Sequence, residues 1–386
     1  MQSGKLKGIL MLVNDFPPIQ SGGAERQAER LATFMGTQHI FVGVLTRREA
    51  LLPRREERNG FAVYRLAQFG PGKIKTLTFT LAAVFSLIRL RNCYDILHAH
   101  LAFSPAIAGT IAGRILGKQV IVKFGNSKSF GDVQRSRQTF RGRLRLAILR
   151  RWADVIVTLD REMEKEVLDA GFDPKRVVLM DNGIDSLEFQ PCSNKEEAKS
   201  ALGLDRKTVA IYTGRFVPQK ALPVLLRAMQ SAKKSCHSLH LVLLGQGEDE
   251  PFLRELSEEL CLTDSVTFVG MVDDVRSYLN AADIFVLPSL AEGISNSMLE
   301  AMSCGIACIA TRVGGTPDVL GNGDCGLIVS INSVKELADA LINLASNPNE
   351  RARLGANARK RILDRFDIRA VGSSYLKLYQ RLVEAG

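Results

Sequence analysis

The sequence predicts an α/β protein of two domains, each built on a parallel sheet with helices on both faces, and three observations carry that prediction. A chain of 386 residues exceeds one ordinary hydrophobic core, since domains run to roughly 100–200 residues each. A strand, a glycine-bearing loop and an amphipathic helix open the chain, and the same succession restarts near its middle. Short apolar strands alternate with amphipathic helices between and after these openings, which is the pattern of parallel sheets joined by crossover helices.

Taken in order, residues 7–14 form an apolar strand, a Pro/Gly loop runs through Gly23, and a helix follows in which Ala28, Leu31, Ala32 and Met35 recur at helical spacing. Further strands are expected at 95–99, 120–122 and 154–158. The second opening is a strand at 208–213, a loop at 214–220 and a helix carrying Val224, Leu225, Ala228 and Met229. Strands at 240–244, 283–287 and 307–311 continue it. Pro191 and its polar neighbours set the linker at 189–194, giving domains 1–189 and 190–368. A polar turn at Phe366–Asp367 precedes a last amphipathic helix, 369–386, expected to complete the first domain. Ligands of such sheets bind beyond the carboxyl ends of the strands, so the two sheets are expected to face one cleft.

Composition excludes a disordered chain, with 46% hydrophobic and 24% charged residues and no low-complexity stretch. Lys5 and Lys7 precede only the short apolar run at 8–13, without a cleavage site, so a cytoplasmic protein is expected. The seven cysteines are scattered, and the one close pair, Cys304 and Cys308, lacks the second pair of a zinc site. All seven are read as reduced packing residues; no metal and no cofactor are expected. The net charge of +10 is uneven: residues 1–190 hold 29 Lys and Arg against 18 Asp and Glu, the remainder 22 against 23. Seven arginines fall from Arg135 to Arg151, a concentration compatible with several anionic partners, which leaves nucleic acid, phosphate and membrane surface open.

Two constellations carry chemistry. In PSLAEGISNSMLEAMSCG, residues 288–305, Glu292 and Glu300 are separated by seven residues. With a helix opening near Ser297, Glu300 falls in its first turn and Glu292 on the preceding loop, so a diphosphate can meet the helix N-terminus. Gly293, Ile294, Ser295, Asn296 and Ser297 supply a loop whose backbone can approach an anion, and the carboxylates can bind hydroxyls. In GRFVPQK, Arg215 and Lys220 stand at the mouth of a strand, a fork and a mobile point charge for phosphate oxygens. Each residue alone has an ordinary reading as a helix cap or a solvated loop charge. Together they suit a reaction whose leaving group is a nucleoside diphosphate, because negative charge grows on the departing phosphate.

Six segments in one order, GGAER (22–26), DILHAH (95–100), GRFVPQK (214–220), ADIFVLPS (282–289), EGISNSMLEAMSCG (292–305) and VGGTPDV (313–319), resemble the retaining family-4 glycosyltransferases of GT-B fold over nearly the whole chain. The resemblance implies two Rossmann-like domains facing a cleft, the N-terminal one for the acceptor and the C-terminal one for the nucleotide sugar, without a catalytic metal. It implies that Arg215 and Lys220 hold the donor diphosphate, Glu300 the nucleotide ribose and Glu292 the sugar hydroxyls. Gly22 and Gly23 would let a loop approach the phosphates, His100 would reach the transferred sugar, and the backbone at Met271 would meet the base; His98 is read as structural. The implied donor is a nucleotide-diphosphate sugar, UDP-sugar before GDP-sugar. The implied acceptor is a hydroxyl of a glycan or lipid-linked oligosaccharide in cell-surface polysaccharide synthesis.

Other features are set aside. Gly245-Gln246-Gly247 lacks the third glycine of a dinucleotide fingerprint, so no nicotinamide cofactor is expected. Asp273-Asp274 is read as a helix cap rather than a metal pair. Residues 123–127, Lys-Phe-Gly-Asn-Ser, depart from the His-Gly pair of many relatives and are left out of the site. The apolar run 77–88, flanked by Lys73, Lys75, Arg89 and Arg91, is shorter than the roughly 20 residues that span a bilayer. With the arginine cluster it suggests peripheral contact with an anionic membrane, the inner face of the plasma membrane, against the alternative of a buried helix and a solvated basic face. The competing functions are a sugar-nucleotide epimerase of similar fold and a basic nucleic-acid-binding protein, for which no nucleic-acid motif is present.

Overall fold

The computed structural model describes residues 6–18, 22–49, 51–126 and 131–385; Lys5 and Ser127 lie outside the described residues. The chain forms two compact units, Met1–Gly183 with Ile368–Gly386, and Ile184–Asp367.

The first unit holds strands β1 (Gly8–Leu12), β2 (Phe41–Arg47), β3 (Arg55–Arg58), β4 (Phe61–Leu66), β5 (Ile96–His100), β6 (Gln119–Lys123), β7 (Val155–Thr158) and β8 (Val177–Leu179). Their order in the sheet is β3-β4-β2-β1-β5-β6-β7-β8. Every residue of β1 is buried, because helices cover both faces and leave no position for the polar alternation of a half-exposed strand. The sheet is parallel except at its edge, where β3 runs antiparallel to β4. That hairpin departs from the all-parallel expectation, and its cause is local: Asn59 and Gly60 both take positive φ, 46° and 82°, the primed turn whose twist matches two antiparallel strands.

Helices α1 (Gly23–Gly36), α2 (Gly72–Arg89), α3 (Ser104–Leu116), α4 (Asp132–Arg137), α5 (Phe140–Trp152) and α6 (Arg161–Asp169) alternate with these strands. In α1, Ala28, Leu31, Ala32 and Met35 are all buried, the face read from their spacing. The last helix, Ile368–Ala385, packs against α1, and a Cβ at Gly372 would stand 2.3 Å from the Phe34 ring. Its Tyr375 and Tyr379 enter the core beside a polar cluster. The Tyr379 hydroxyl meets His98 Nδ1 at 2.7 Å, the His98 and His100 rings stack at 4.4 Å, and Lys123 Nζ donates to Asn182 Oδ1 at 2.7 Å.

The second unit contains α7 (Lys195–Ala201), β9 (Thr208–Thr213), α8 (Leu222–Lys233), β10 (Leu239–Leu244), α9 (Glu250–Glu259), β11 (Val266–Gly270), α10 (Arg276–Ala281) and β12 (Ile284–Leu287). It continues with α11 (Asn296–Ser303), β13 (Ala307–Thr311), α12 (Thr316–Val319), β14 (Gly326–Val329), α13 (Val334–Ser346) and α14 (Pro348–Arg361), leaving the last helix as α15. All six strands are parallel, in the order β11-β10-β9-β12-β13-β14. Residues 184–189 pack inside this unit: the Arg359 guanidinium donates to the carbonyls of Ser186, Phe189 and Ser303 at 2.8–2.9 Å. Phe366 and Asp367 are buried, and Asp367 accepts a hydrogen bond from the Ser186 hydroxyl. They are therefore not the polar turn expected: Phe366 ends a π-helical turn, Ile362–Phe366, and Asp367 bridges to Ile184 before α15 begins. Cys93 and Cys261 are exposed, a correction to the reading of every cysteine as a packing residue. Among the described residues no helix is long and apolar enough to cross a membrane.

Burial lowers the His98 pKa to about 3, and burial with neighbouring positive charge holds His100 well below the ordinary range. An unfolded chain takes up these protons near the ordinary histidine value and the native state refuses them, so this contribution to stability is lost as pH falls through that window. Asp132 and Asp160, raised to about 6 by burial, act in the opposite sense. The histidine effect is therefore isolated by difference. Between about pH 6.5 and pH 5, urea unfolding is expected to show His98→Gln gaining on wild type by up to about 1.4 kcal/mol per pH unit. A pH-independent difference would mean that His98 titrates freely in the fold.

Candidate functional site

In the second unit the chain steps outward from β9 to β10 and β11, then returns to β12 on the other side of β9. The chain leaving β9 thus goes on to a strand on one side and the chain leaving β12 to a strand on the other, the switch point at which parallel sheets bind ligands beyond their carboxyl ends. Arg215 and Lys220 follow β9; Glu292 follows β12.

These two loops are stapled together. Buried Gln219 donates through Nε2 to the Ala291 carbonyl at 2.7 Å, and its own carbonyl accepts the Leu290 N–H at 2.8 Å. The staple brings Lys220 Nζ onto Glu292 Oε1 as an ion pair. Ser289 Oγ donates to the same oxygen at 2.6 Å, and Thr311 Oγ1 holds the Ser289 carbonyl at 2.5 Å. Glu292 is only 6% exposed, so its charge needs these partners. Lys220 and Glu292, given separate tasks by the resemblance, thus form one unit. Ser289 and Gln219 were missed by sequence reasoning; a serine ending ADIFVLPS and a glutamine beside Lys220 carry no mark of their role until the loops meet.

Arg215 differs. Its carbonyl accepts the Tyr212 hydroxyl at 2.9 Å, while its guanidinium is exposed and makes no hydrogen bond or ion pair among the described residues. The loop that carries it lies against the loop after β10, with Phe216 N–H on the Gln246 carbonyl at 2.9 Å and Asp249 N–H on the Phe216 carbonyl at 3.1 Å. Here the glycines of Gly245-Gln246-Gly247 have a steric cause: a Cβ would lie 1.9 Å from the Gly214 oxygen or 2.0 Å from the Phe216 oxygen.

Helix α11 starts at Asn296 because Ser295 caps it, its Oγ facing the Met298 N–H at 3.4 Å and the Ser297 hydroxyl at 3.1 Å. Glu300 is consequently in the second turn, not the first as expected, and is buried. Gly293, Ile294 and Ser295 are buried, the Gly293 carbonyl accepting Gly315 N–H at 3.1 Å; Asn296 and Ser297 are half-buried. Met271 lies just beyond β11 with its side chain exposed. Asp274 accepts from the Arg276 backbone N–H at 2.9 Å and grips its guanidinium at 2.8–2.9 Å, holding the start of α10.

In the first unit the equivalent reversal falls between β1 and β5. Gly22 caps α1 without a side-chain bond, Gly23 is its first residue, and both are exposed. His100 ends β5, 2% exposed, and neither ring nitrogen has a partner among the described residues. It stands beside Lys123 across the β5–β6 register, and burial draws the Lys123 pKa down to about 7. The imidazole is therefore neutral at neutral pH. Lys123 was set aside in the sequence, and register alone reveals it as a neighbour of His100.

Residues 21–186 match the family model described as Glycosyltransferase Family 4, and residues 194–361 the one described as Glycosyl transferases group 1. The chain is 25% identical to the N-acetyl-alpha-D-glucosaminyl L-malate synthase of Bacillus anthracis over 300 residues, 78% of each chain. It is 26% identical to the UDP-Gal:alpha-D-GlcNAc-diphosphoundecaprenol alpha-1,3-galactosyltransferase of Escherichia coli over 304 residues, 75% of this chain and 76% of that one. The fold is similar to that of Anabaena Alr3699/HepE in complex with UDP-glucose, with a TM-score of 0.82 and 19% identity over 97% of this chain and 99% of that one.

The ion pair sets an energetic expectation. Lys220→Ala leaves Glu292 buried with Ser289 alone and is expected to lower stability by about 1–3 kcal/mol in urea unfolding. Adding Glu292→Gln removes the stranded charge and restores most of the loss. Two losses that simply add would show that the pair carries no coupling.

Proposed function

The chain belongs to glycosyltransferase family 4, with the GT-B fold, and from that premise we propose that it moves a sugar with retention from a UDP-sugar to an acceptor hydroxyl. The acceptor is a glycan or lipid-linked oligosaccharide, and the setting is cell-surface polysaccharide synthesis in the cytoplasm. The observation that carries this reading is an exposed arginine, Arg215, and a carboxylate-anchored lysine, Lys220, on one loop at the switch point between β9 and β12. Preference for UDP over GDP is supported by the uridine donor in the name of the Escherichia coli relative, and the lipid-linked acceptor by the diphosphoundecaprenol in the same name.

In the proposed reaction the bond between the anomeric carbon and the diphosphate oxygen breaks while the acceptor oxygen bonds to the same face of that carbon. The acceptor proton passes to the departing phosphate oxygen, so no protein nucleophile and no metal is required. Charge accumulating on that phosphate is met by the Arg215 fork and by the Lys220 donors not engaged by Glu292. Glu292, fixed by Ser289, accepts hydrogen bonds from sugar hydroxyls, and Glu300 from the ribose. The backbone from Gly293 through Ile294, Ser295, Asn296 and Ser297 meets the diphosphate at the start of α11, and that at Met271 meets the base. Gly22 and Gly23 let the first unit's loop approach the phosphates, and neutral His100 offers the sugar a hydrogen bond without adding charge.

Arg215→Ala and Lys220→Ala are expected to lower kcat by roughly 100- to 1,000-fold, and NMR of the product should show the donor's anomeric configuration preserved. An inverted linkage would sink the retaining mechanism. Accumulation of epimerised free nucleotide sugar without acceptor would instead identify an epimerase.

A further inference from the structure

Helices α2, α3 and α5 form one contiguous layer on the first unit's sheet, α3 touching both of the others. Buried Phe79, Ala83 and Leu87 seat α2 on the core. Its opposite face, which in an ordinary surface helix is polar, carries Ile74, Leu77, Leu81, Phe85 and Ile88, all exposed, Leu81 at 61% and Phe85 at 67%. Their spacing of three and four residues puts them in one stripe about 20 Å long. Single exposed apolar residues are normal, but an aligned row of five on one helix marks a surface built to be covered.

Two helices away, α5 exposes Phe140 and Leu144, which flank the exposed Arg141 and Arg143. The charge of the layer is all of one sign. Lys and Arg number three in α2, one in α3 and five in α5, and none of the three helices contains Asp or Glu. One of these, Arg145, turns inward to the Ser136 hydroxyl at 2.5 Å and over the Phe103 ring; Arg141, Arg143, Arg150 and Arg151 remain exposed. A second copy of the chain seated on this face would set cation against cation. A nucleic acid would leave the apolar stripe without a partner. An anionic bilayer satisfies both, taking apolar side chains at its interface and arginines at its phosphates.

We propose that the outer face of α2, α3 and α5 docks on an anionic phospholipid bilayer, with the α2 stripe entering the interface and the α5 arginines meeting lipid phosphates. The surface does not depend on the identity of the sugar donor, so its test is separate from that of the reaction.

Flotation of the full chain with phosphatidylcholine vesicles, with and without phosphatidylglycerol, reads the docking directly. Binding is expected only with phosphatidylglycerol, and it should fall as salt rises. Leu81→Ser/Phe85→Ser and Arg141→Glu/Arg143→Glu should each weaken it by roughly tenfold or more, with thermal stability and the thermal shift on adding UDP unchanged. Wild type that stays at the bottom of the gradient, or variants that float as wild type does, would overturn the proposal. So would a dimer in sedimentation that Leu81→Ser/Phe85→Ser dissociates, since the stripe would then be a protein interface. Should one variant pair unfold, the other pair and the salt titration of wild type decide.

Discussion

Glu292 is a carboxylate buried at the carboxyl end of a parallel sheet, and the architecture around it follows from that burial. An ionised carboxylate withdrawn from water needs a cation and a hydrogen-bond donor, which Lys220 and Ser289 supply on one oxygen. To deliver Lys220, the loop after β9 must reach the loop after β12, and Gln219 closes that span. The loop after β9 must in turn lie flat against the one after β10, where only glycine leaves room for two backbones. One buried charge thereby fixes the register of three loops. Arg215, outside that network, is exposed.

The first unit solves a related problem differently. His98, His100 and Lys123 are buried with few partners, and the cost is met by neutrality rather than by pairing: burial drives the histidines to the uncharged form and draws the lysine pKa down to about 7. Helix α15, last in sequence, supplies the Tyr379 hydroxyl to His98 and the Tyr375 ring beneath Lys123. The terminal segment is thus part of the polar environment of β5 and not an appended tail. Helix α2 shows a third response, apolar on opposite faces, one satisfied by the core and the other exposed.

Periodicity and composition determined much of this protein. The alternation of strands and helices, the two β-loop-α openings, the buried face of α1 and the crowding of cations into the first half were all legible, because each depends on residues near one another in sequence. Arg215, Lys220, Glu292 and Glu300 stood out as residue types suited to a nucleoside diphosphate, and six ordered segments carried the family. Strands β2, β4, β8 and β14 were not legible, short apolar runs being ambiguous without their neighbours, and the charged edge strand β3 lacks even that signal. The Asn59-Gly60 turn was a signal present in the sequence and left unread.

Tertiary structure alone decided what joins across long separations. Lys220 and Glu292 lie 72 residues apart, and His98 and Tyr379 are separated by 281; no local pattern specifies either pair, because strand order and the folding back of the chain set their distance. The sequence named the chemical groups of the site, since chemistry belongs to residue type. Only the fold settled which of them are neutralised by one another and which remain free, since burial and charge pairing are properties of three-dimensional neighbours.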